Sequence, residues 1–340
     1  MARALSEAAI EGAEAAAAPA APSALRRSLR AVGRAGVVLA KRALMLAVLL
    51  AVVFAAIELL PGDAASATSE RGESAADTAA RRHLLGLDRP VWERFGDWMT
   101  ALPTGDLGTS ARGERVTDLL SAPFPNTLLL GATAFAVTLA AALALGCWAA
   151  LRPGGAVDRI VGFASGIALA LPEFVVSIGL LLVLSLWTGL LPAVTLTAPD
   201  GSPASWTMLV MPVLALAVPQ IGWNARIVRG ALADQAGAPH VTAARLDGLS
   251  PRRVLLRHAL PGAWPAIATG AATSTGMLLG GAVVVETLFN YPGLGTVLAG
   301  AVADRDTPVI AGVVACTGAV ISLVLLGADL IRARTLGARP

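Results

Sequence analysis

Long apolar stretches recur along this chain, and they limit what it can fold into. They alternate with polar segments, and each is close to or longer than the roughly 20 residues that a helix needs to cross a bilayer. Of the 340 residues, 56% are hydrophobic and only 14% are charged, which does not fit a soluble domain. The stretches lie at residues 43–60, 125–151, 157–191, 207–229, 262–288 and 309–331. We therefore predict an all-α polytopic membrane protein with six transmembrane helices.

Two of these stretches differ from a simple membrane span. The third is long enough to contain a kink at Leu171-Pro172 and to extend beyond the bilayer. The first could instead belong to a signal peptide, because Ala65-Ser66-Ala67 looks like a cleavage site. A basic leader as long as the one before it is typical of a membrane helix rather than of a signal peptide. We therefore expect residues 43–60 to stay in the membrane.

The distribution of basic residues predicts the orientation of the chain. Loops rich in arginine and lysine stay on the cytoplasmic side of a membrane. The loop at residues 192–206 has no basic residue, whereas the leader, the segment at residues 239–260 and the C-terminal tail have several. Both termini and segment 239–260 are thus predicted to be cytoplasmic. Net charge is only +3, so nothing suggests a nucleic-acid partner.

Residues 239–260, called the arginine-rich segment from here on, form a polar island between two apolar stretches. Val241, Ala244 and Leu246 fall at roughly helical spacing before Asp247-Gly248 interrupts the pattern. Glycine tolerates the left-handed backbone that ends a helix. Ser250 then suits an N-cap and Pro251 a first helical position, so a second short helix is expected, with Val254, Leu255 and Leu260 on its apolar face. The pattern predicts two short helices joined at a glycine.

Four polar residues inside the apolar stretches are candidates for a translocation path. A carboxylate is costly in hydrocarbon, so Glu173 and Glu286 should face protein or water. Both could line a cavity, and both could instead make hydrogen bonds near a helix end; for Glu173 the cavity is favoured. Gln220 and Asn224 lie on one helical face, directed either to a path or to a neighbouring helix. Gly162 with Gly166, and Gly276 with Gly280, have spacing that suits close helix packing.

Several chemistries are excluded. The sole lysine, Lys41, is not in a Gly-Lys-Ser/Thr sequence, so the chain is not a P-loop ATPase. The three histidines are scattered, and the two cysteines lie far apart in apolar stretches. We predict no catalytic residue, no metal site and no cofactor bound by this chain.

The arginine-rich segment resembles a known sequence. Its motif A-A-R-x-x-G-L-S-x-R-R-V-L-L-R-H-A-L-P is similar to the cytoplasmic coupling loop of type I ABC importer permeases, most closely the dipeptide/oligopeptide/nickel family. The phrases GLDRP at 86–90, GDLGTS at 105–110, FNYPGLG at 289–295 and ADRDTPVIAGV at 303–313 also resemble that family. The resemblance covers nearly everything from Arg42 to Asp329.

This resemblance implies the type I importer permease fold and a set of partners. Those partners are a homologous second permease, two cytoplasmic ATPases that use ATP and Mg²⁺, and an extracytoplasmic substrate-binding protein. The helix that ends near Gly248 would dock in a groove of an ATPase. The coupling residues that match the family are Ala243, Ala244, Arg245, Gly248, Leu249, Ser250, Arg252, Arg253, His258 and Leu260. Asp247 and Pro261-Gly262 depart from the usual pattern and could alter which ATPase is accepted.

The expected organisation follows from these predictions. It comprises a cytoplasmic tail rich in Ala and Arg at 1–42, a first span at 43–60, an extracytoplasmic loop at 61–123, a permease core at 124–331 that includes the arginine-rich segment, and a cytoplasmic tail at 332–340. The chain is expected to be a permease subunit of an ATP-driven peptide importer in the cell membrane. A nickel or metallophore importer is the alternative. A secondary transporter or channel is a weaker one, because it has no use for the arginine-rich segment.

Overall fold

The computed structural model describes residues 24–59, 61–69 and 73–337, with side chains from residue 36 to 331 inside those ranges. The described part of the chain is helical, and its only extended pairings are isolated bridges. These described residues separate into two units, one up to Val48 and one from Leu49 onward. The first contains the beginning of helix α1, which spans Ala24–Glu58. Most of the Ala-rich tail lies outside the described residues.

The segment between the first two spans is helical, although the sequence predicted little helical order there. Its helices are short, so their apolar period is hard to detect. Local caps begin two of them: the Ser66 amide donates to Asp63 Oδ1 at 2.9 Å, and the Asp77 amide donates to Ser74 Oγ at 3.2 Å. The helices are α2 (Ala64–Ala67), α3 (Ala75–Leu84), α4 (Val91–Ala101) and α5 (Val116–Ser121).

The rest of the chain forms the membrane bundle, which has five or six candidate spans where six were predicted. Five helical stretches are long and apolar enough to cross a bilayer, and a pair of helices bent by 101° is the sixth if the pair is counted as one broken span. The bundle helices are α6 (Pro123–Leu151), α7 (Ala156–Ala170), α8 (Glu173–Leu180) with a π-helical continuation (Leu181–Trp187), α9 (Thr207–Gln235), α10 (Pro239–Leu246), α11 (Pro251–Val254) with a π-helical continuation (Leu255–Ala259), α12 (Leu260–Phe289), α13 (Leu294–Ala303) and α14 (Thr307–Gly337).

Three boundaries differ from the sequence prediction. The second span begins at Val116 rather than at residue 125, so the end of the predicted external loop belongs to it. The second helix of the arginine-rich segment is not a separate short helix, because it runs from Pro251 into the fifth span as far as Phe289. The segment after that span contains α13, where only a loop was expected.

Helix α9 is central to the bundle, packing against α6, α7 and α12. Because hydrocarbon is as apolar as a leucine side chain, close packing rather than water exclusion holds such helices together. A Cβ on Gly146 would lie 2.6 Å from Val228, and one on Gly222 would lie 2.8 Å from the Ser165 carbonyl oxygen. These glycines are therefore required for helix contact.

The two glycine pairs singled out in the sequence do not make such contacts. A Cβ added at Gly162, Gly166, Gly276 or Gly280 would have no described atom within 4 Å. Spacing alone does not reveal which face of a helix meets a neighbour in the same chain. The expectation of close packing at these four positions is therefore not met within this chain.

Candidate coupling segment and translocation path

Helix α10 ends in a Schellman motif centred on Gly248. The Gly248 amide donates to the Arg245 carbonyl at 3.0 Å, and the Leu249 amide donates to the Ala244 carbonyl at 3.3 Å. Gly248 has a φ of +75°, in the left-handed region that side chains with a Cβ adopt at a cost. Nothing lies within 4 Å of where its Cβ would be, so the backbone, and not crowding, requires glycine.

Buried apolar residues hold this turn against the bundle. Val241 and Ala244 belong to one cluster with Val228 and Leu232 of α9 and with Val254 at the start of the fifth span. The cluster joins both sides of the Schellman motif to the membrane helices, so the turn is a fixed projection rather than a free loop. A hydrogen bond at 3.1 Å between His240 Nε2 and the His258 carbonyl oxygen adds a polar link.

Some of the predicted coupling residues lie on the exposed surface of the projection, and others are buried or half-buried. Ala244 is buried, and Leu249, His258 and Leu260 are half-buried. Ser250 occupies the N-cap position, but its side chain makes no capping hydrogen bond with a described residue. The exposed members of the set are Ala243, Arg245, Asp247, Gly248, Ser250, Arg252 and Arg253.

Leu246 corrects the sequence analysis. It was expected on the apolar face with Val241 and Ala244, yet it is 83% exposed. Five residues separate it from Val241, which places it about 140° around the helix and away from the buried face. A large apolar side chain is therefore exposed in the arginine-rich segment. A cleft of about 480 Å³ lies between this segment and the bundle, and its lining includes Arg229, Arg245 and Leu249.

An ion pair that the sequence analysis missed fixes the neighbouring helices. Arg229 Nε and Nη2 donate to Asp158 Oδ1 and Oδ2, each at 2.9 Å, and the Gly154 amide donates to Asp158 Oδ2 at 2.9 Å. Asp158 lies on α7 and Arg229 on α9. The available signal was an aspartate among the basic residues at the predicted cytoplasmic ends of the spans.

Glu286 is fully buried at the opposite end of the fifth span, and its carboxylate is saturated with hydrogen bonds. Thr127 Oγ1 donates to Oε1 at 2.7 Å, and the Gly295 amide donates to Oε2 at 2.5 Å. Thr127 Oγ1 also accepts from the Leu294 amide at 2.7 Å. The carboxylate therefore caps the N-terminus of α13, where a negative charge is favourable. Of the two roles considered for Glu286, this geometry fits hydrogen bonding near a helix end.

The remaining path candidates divide into two kinds. Asn224 joins helices, since its Nδ2 donates to Ser274 Oγ at 2.6 Å and to the Gln220 carbonyl at 2.9 Å. The Gln220 side chain is also buried, but its Oε1 has no partner among the described residues. Glu173 is half-buried at the bend between α7 and α8, against Gly281 of α12. It alone among these candidates combines a charge with access from outside the chain.

Comparison with known proteins identifies the family to which this chain belongs. A model of the family described as "Binding-protein-dependent transport system inner membrane component" matches residues 142–334, which is more than half of the chain. The chain belongs to this family. It is a permease component of an ABC importer. The alternative of an ATP-independent secondary transporter or channel does not fit this family. The family match confirms the fold and the membrane location that the resemblance implied.

Named relatives agree with that assignment. The probable peptide ABC transporter permease protein y4tP of Sinorhizobium fredii is 31% identical over 280 residues, which cover 82% of this permease and 90% of that protein. The glutathione transport system permease protein GsiC of Pectobacterium atrosepticum is 32% identical over 289 residues, covering 85% and 92%. A chain of the MetNI methionine ABC transporter, solved in inward-facing conformations, matches with a TM-score of 0.51 at 18% identity and supports the fold alone; the match covers 64% of this permease and 96% of that chain.

Proposed function

We propose that this permease moves short peptides across the cell membrane. It forms half of a translocation path with a homologous second permease, most simply as a heterodimer. Two cytoplasmic ATPases hydrolyse ATP with Mg²⁺, and an extracytoplasmic binding protein delivers the substrate. This chain itself is not an enzyme and binds no cofactor. The arginine-rich segment and both termini lie in the cytoplasm, as the distribution of basic residues indicates.

The observation that carries the coupling role is the fixed projection at Gly248. Its base is tied into the bundle by Val241 and Ala244, and its exposed residues include Leu246 and several arginines. An exposed leucine of this size suits insertion into an apolar pocket of a partner. Because the following helix is continuous with the fifth span, movement of the projection by an ATPase would act directly on the membrane bundle.

The substrate proposal follows the relatives, whose names refer to peptides and to glutathione, itself a peptide. A nickel or metallophore importer is the weaker candidate on this ground. No group of three or more His, Cys, Asp or Glu side chains that could hold a metal ion occurs in the described part of the chain.

Uptake measurements test the proposal. Cells that lack this gene are complemented with the native chain, and uptake of labelled dipeptides, longer peptides and glutathione is measured beside nickel. Peptide uptake that depends on the gene supports the proposal. Uptake of nickel alone would overturn the substrate and leave the coupling role standing.

The coupling role is tested in the same cells with Gly248→Val. A β-branched residue is strongly disfavoured at a φ of +75°, so the turn should be displaced and uptake lost. Gly105→Val is the matched control, because Gly105 has a φ of +82° and open space around its Cβ position but lies in the segment between the first two spans. Equal loss of uptake in both variants, or in neither, would contradict a specific role for the projection.

A further inference from the structure

Glu173 differs from Glu286 and Asp158 in having no partner among the described residues. Its carboxylate makes no hydrogen bond or ion pair with any described residue, although its backbone carbonyl accepts from Ser177 Oγ at 2.8 Å. Glu286, by contrast, is saturated, and Asp158 is paired with Arg229. A carboxylate left without a partner in hydrocarbon would be costly, so its surroundings must supply water, a cation or a group of a partner subunit.

The bend beside Glu173 points to water. Helices α7 and α8 meet at 101°, and Leu171 and Pro172 between them are exposed. Non-helical backbone is tolerated at membrane depth only where it is covered by protein or lines an aqueous cavity. Since no described residue donates a hydrogen bond to the Glu173 carboxylate and the bend is exposed, we place this bend on the aqueous path.

The same bend joins two helix ends to one carboxylate. Helix α7 ends at Ala170, and Pro172 has no N–H with which to continue its hydrogen bonding, so the last carbonyl groups of α7 are directed toward the bend. The C-terminus of a helix carries a partial negative charge and favours a cation. Glu173 lies three residues further on, in the first turn of α8, whose N-terminus has the opposite partial charge. The two helix ends offset each other, so the net charge at the bend is that of the Glu173 carboxylate.

Gly281 determines how the Glu173 side chain lies. A Cβ on Gly281 would be 3.3 Å from Cγ, Cδ and Oε1 of Glu173, so the side chain rests on the bare backbone of α12. Gly281 is eight residues before the end of α12, roughly 12 Å along its axis. The carboxylate is therefore inside the spans, at a depth that a substrate must pass.

We propose that Glu173 binds the α-ammonium group of a peptide as the peptide crosses the membrane. The inference rests on the proposed peptide transport and names the substrate group that this site recognises. An ammonium group has three donors, which match one carboxylate and the free carbonyl groups at the end of α7. A single carboxylate is too few ligands for a metal ion, and no metal-binding group of acidic, His or Cys side chains occurs in the described residues.

The first test compares charge-changing variants in the complete transporter, in cells that lack the native gene. Glu173→Gln removes the charge and keeps the shape, and it should lower peptide uptake roughly tenfold or more. Glu173→Asp keeps the charge and should retain most of the uptake. Glu114→Gln is the control, because it removes an exposed carboxylate outside the spans and should leave uptake unchanged.

The second test needs no transport. In a chain with Cys147→Ala and Cys316→Ala, Leu171→Cys places a reporter thiol at the bend, in membrane vesicles that contain the whole complex. A cationic trimethylammonium methanethiosulfonate should label the thiol faster than an anionic sulfonate reagent, and Glu173→Gln should abolish that preference. A free tripeptide at high concentration should slow cationic labelling, and the N-acetylated tripeptide should not.

The outcomes separate the two proposals. Absence of gene-dependent peptide uptake overturns the proposed function, whereas the labelling still determines whether Glu173 attracts cations. If the native chain transports peptides and the Glu173→Gln variant transports them equally well, the inference is wrong. It is also wrong if the thiol is not labelled, if labelling shows no dependence on the charge at Glu173, or if both tripeptides protect equally.

Discussion

The guanidinium of Arg229 donates hydrogen bonds to both oxygens of the Asp158 carboxylate, from Nε to Oδ1 and from Nη2 to Oδ2, at 2.9 Å each. Parallel hydrogen bonds of this kind are stronger and more directional than a single contact between charges. The Gly154 amide completes the arrangement, so the turn between α6 and α7 and the end of α9 converge on one carboxylate. Two helices that meet at the predicted cytoplasmic side are thereby kept in register.

Asp158→Asn should lower the unfolding temperature of the purified transporter, because the amide cannot accept two hydrogen bonds from Arg229 and keep the Gly154 contact. Asp118→Asn is the matched control, since it removes an Asp–Arg pair whose side chains are 63% and 75% exposed, and such pairs contribute little. Scanning fluorimetry of both variants measures the difference. Equal shifts would mean that the Asp158 pair is no more than a surface contact.

Thr127→Val should destabilise the external end of the fifth span by about 1–3 kcal/mol, since it leaves a Glu286 oxygen and the Leu294 amide buried without their partner. Thr133→Val is its control on the same helix, where the hydroxyl donates only to carbonyl oxygens of the preceding turn, at 2.7 and 2.9 Å. Chemical unfolding of the two variants provides the measurement. A Thr133 variant that loses as much stability would show that valine itself, and not the lost cap, is responsible.

Gly295→Ala should cost about 1–3 kcal/mol through overpacking, because the added Cβ would lie 2.5 Å from Val283 Cα and 2.8 Å from Glu286 Oε2. Gly300→Ala lies on the same helix, with nothing within 4 Å of the added Cβ, and should be neutral or stabilising by up to about 1 kcal/mol. Yield of folded transporter and unfolding temperature distinguish the two. Tolerance of alanine at Gly295 would contradict the close contact of α13 with the fifth span.

The turn at residues 108–116 should be held more firmly as the pH falls. Burial, with a smaller contribution from the nearby charge of Asp304, raises the pKa of Asp306 above its ordinary value, despite hydrogen bonds from the Ala111 and Val309 amides and the nearby charge of Arg112. A carboxyl whose folded pKa exceeds its unfolded pKa binds more protons when folded, so stability decreases as pH rises from the ordinary value of 3.8 through the folded pKa.

Hydrogen exchange of this turn, corrected for the intrinsic rate at each pH, measures the dependence. Asp306→Asn should flatten it, whereas Asp304→Asn, which removes a partly exposed partner of Arg112, should leave most of it in place. Protection that rises with pH in the native chain would reverse the sign and refute the assignment to Asp306.

The sequence predicted the arginine-rich segment well where the signal was local. Gly248 follows the last helical turn and adopts the expected left-handed backbone, and Val241 and Ala244 share a buried face. Leu246 was misplaced because its spacing from Val241 and Ala244 was accepted as roughly helical, although five residues from Val241 place it about 140° around the helix and away from the bundle. The continuity of the second helix with the fifth span was also missed, since polar side chains interrupt the apolar run without interrupting the backbone.

Distant pairing explains what the sequence could not predict about the polar residues. A carboxylate at Glu286 demands partners, but Thr127 is 159 residues away and the amides come from a helix that begins after a turn at Asn290. Similarly, the four-residue spacing of Gly162 with Gly166 and of Gly276 with Gly280 predicted close packing. Contact within the chain depends instead on which face of the helix meets a neighbour. Gly146 and Gly222, which have no glycine four residues away, are the ones pressed against another helix.

The helix from Pro251 to Phe289 has 39 residues and is therefore roughly 58 Å long. One end leaves the turn at Gly248; at the other, the Phe289 carbonyl accepts a hydrogen bond at 2.8 Å from the Thr195 amide, one turn beyond the Glu286 cap. No loop interrupts this helix, although the π-helical turn at Leu255–Ala259 and Pro265 are points at which a helix can bend. Under the proposed function, a displacement of the turn at Gly248 would reach the external end of the bundle through one continuous helix, and a displacement at the external end would reach the turn by the same route.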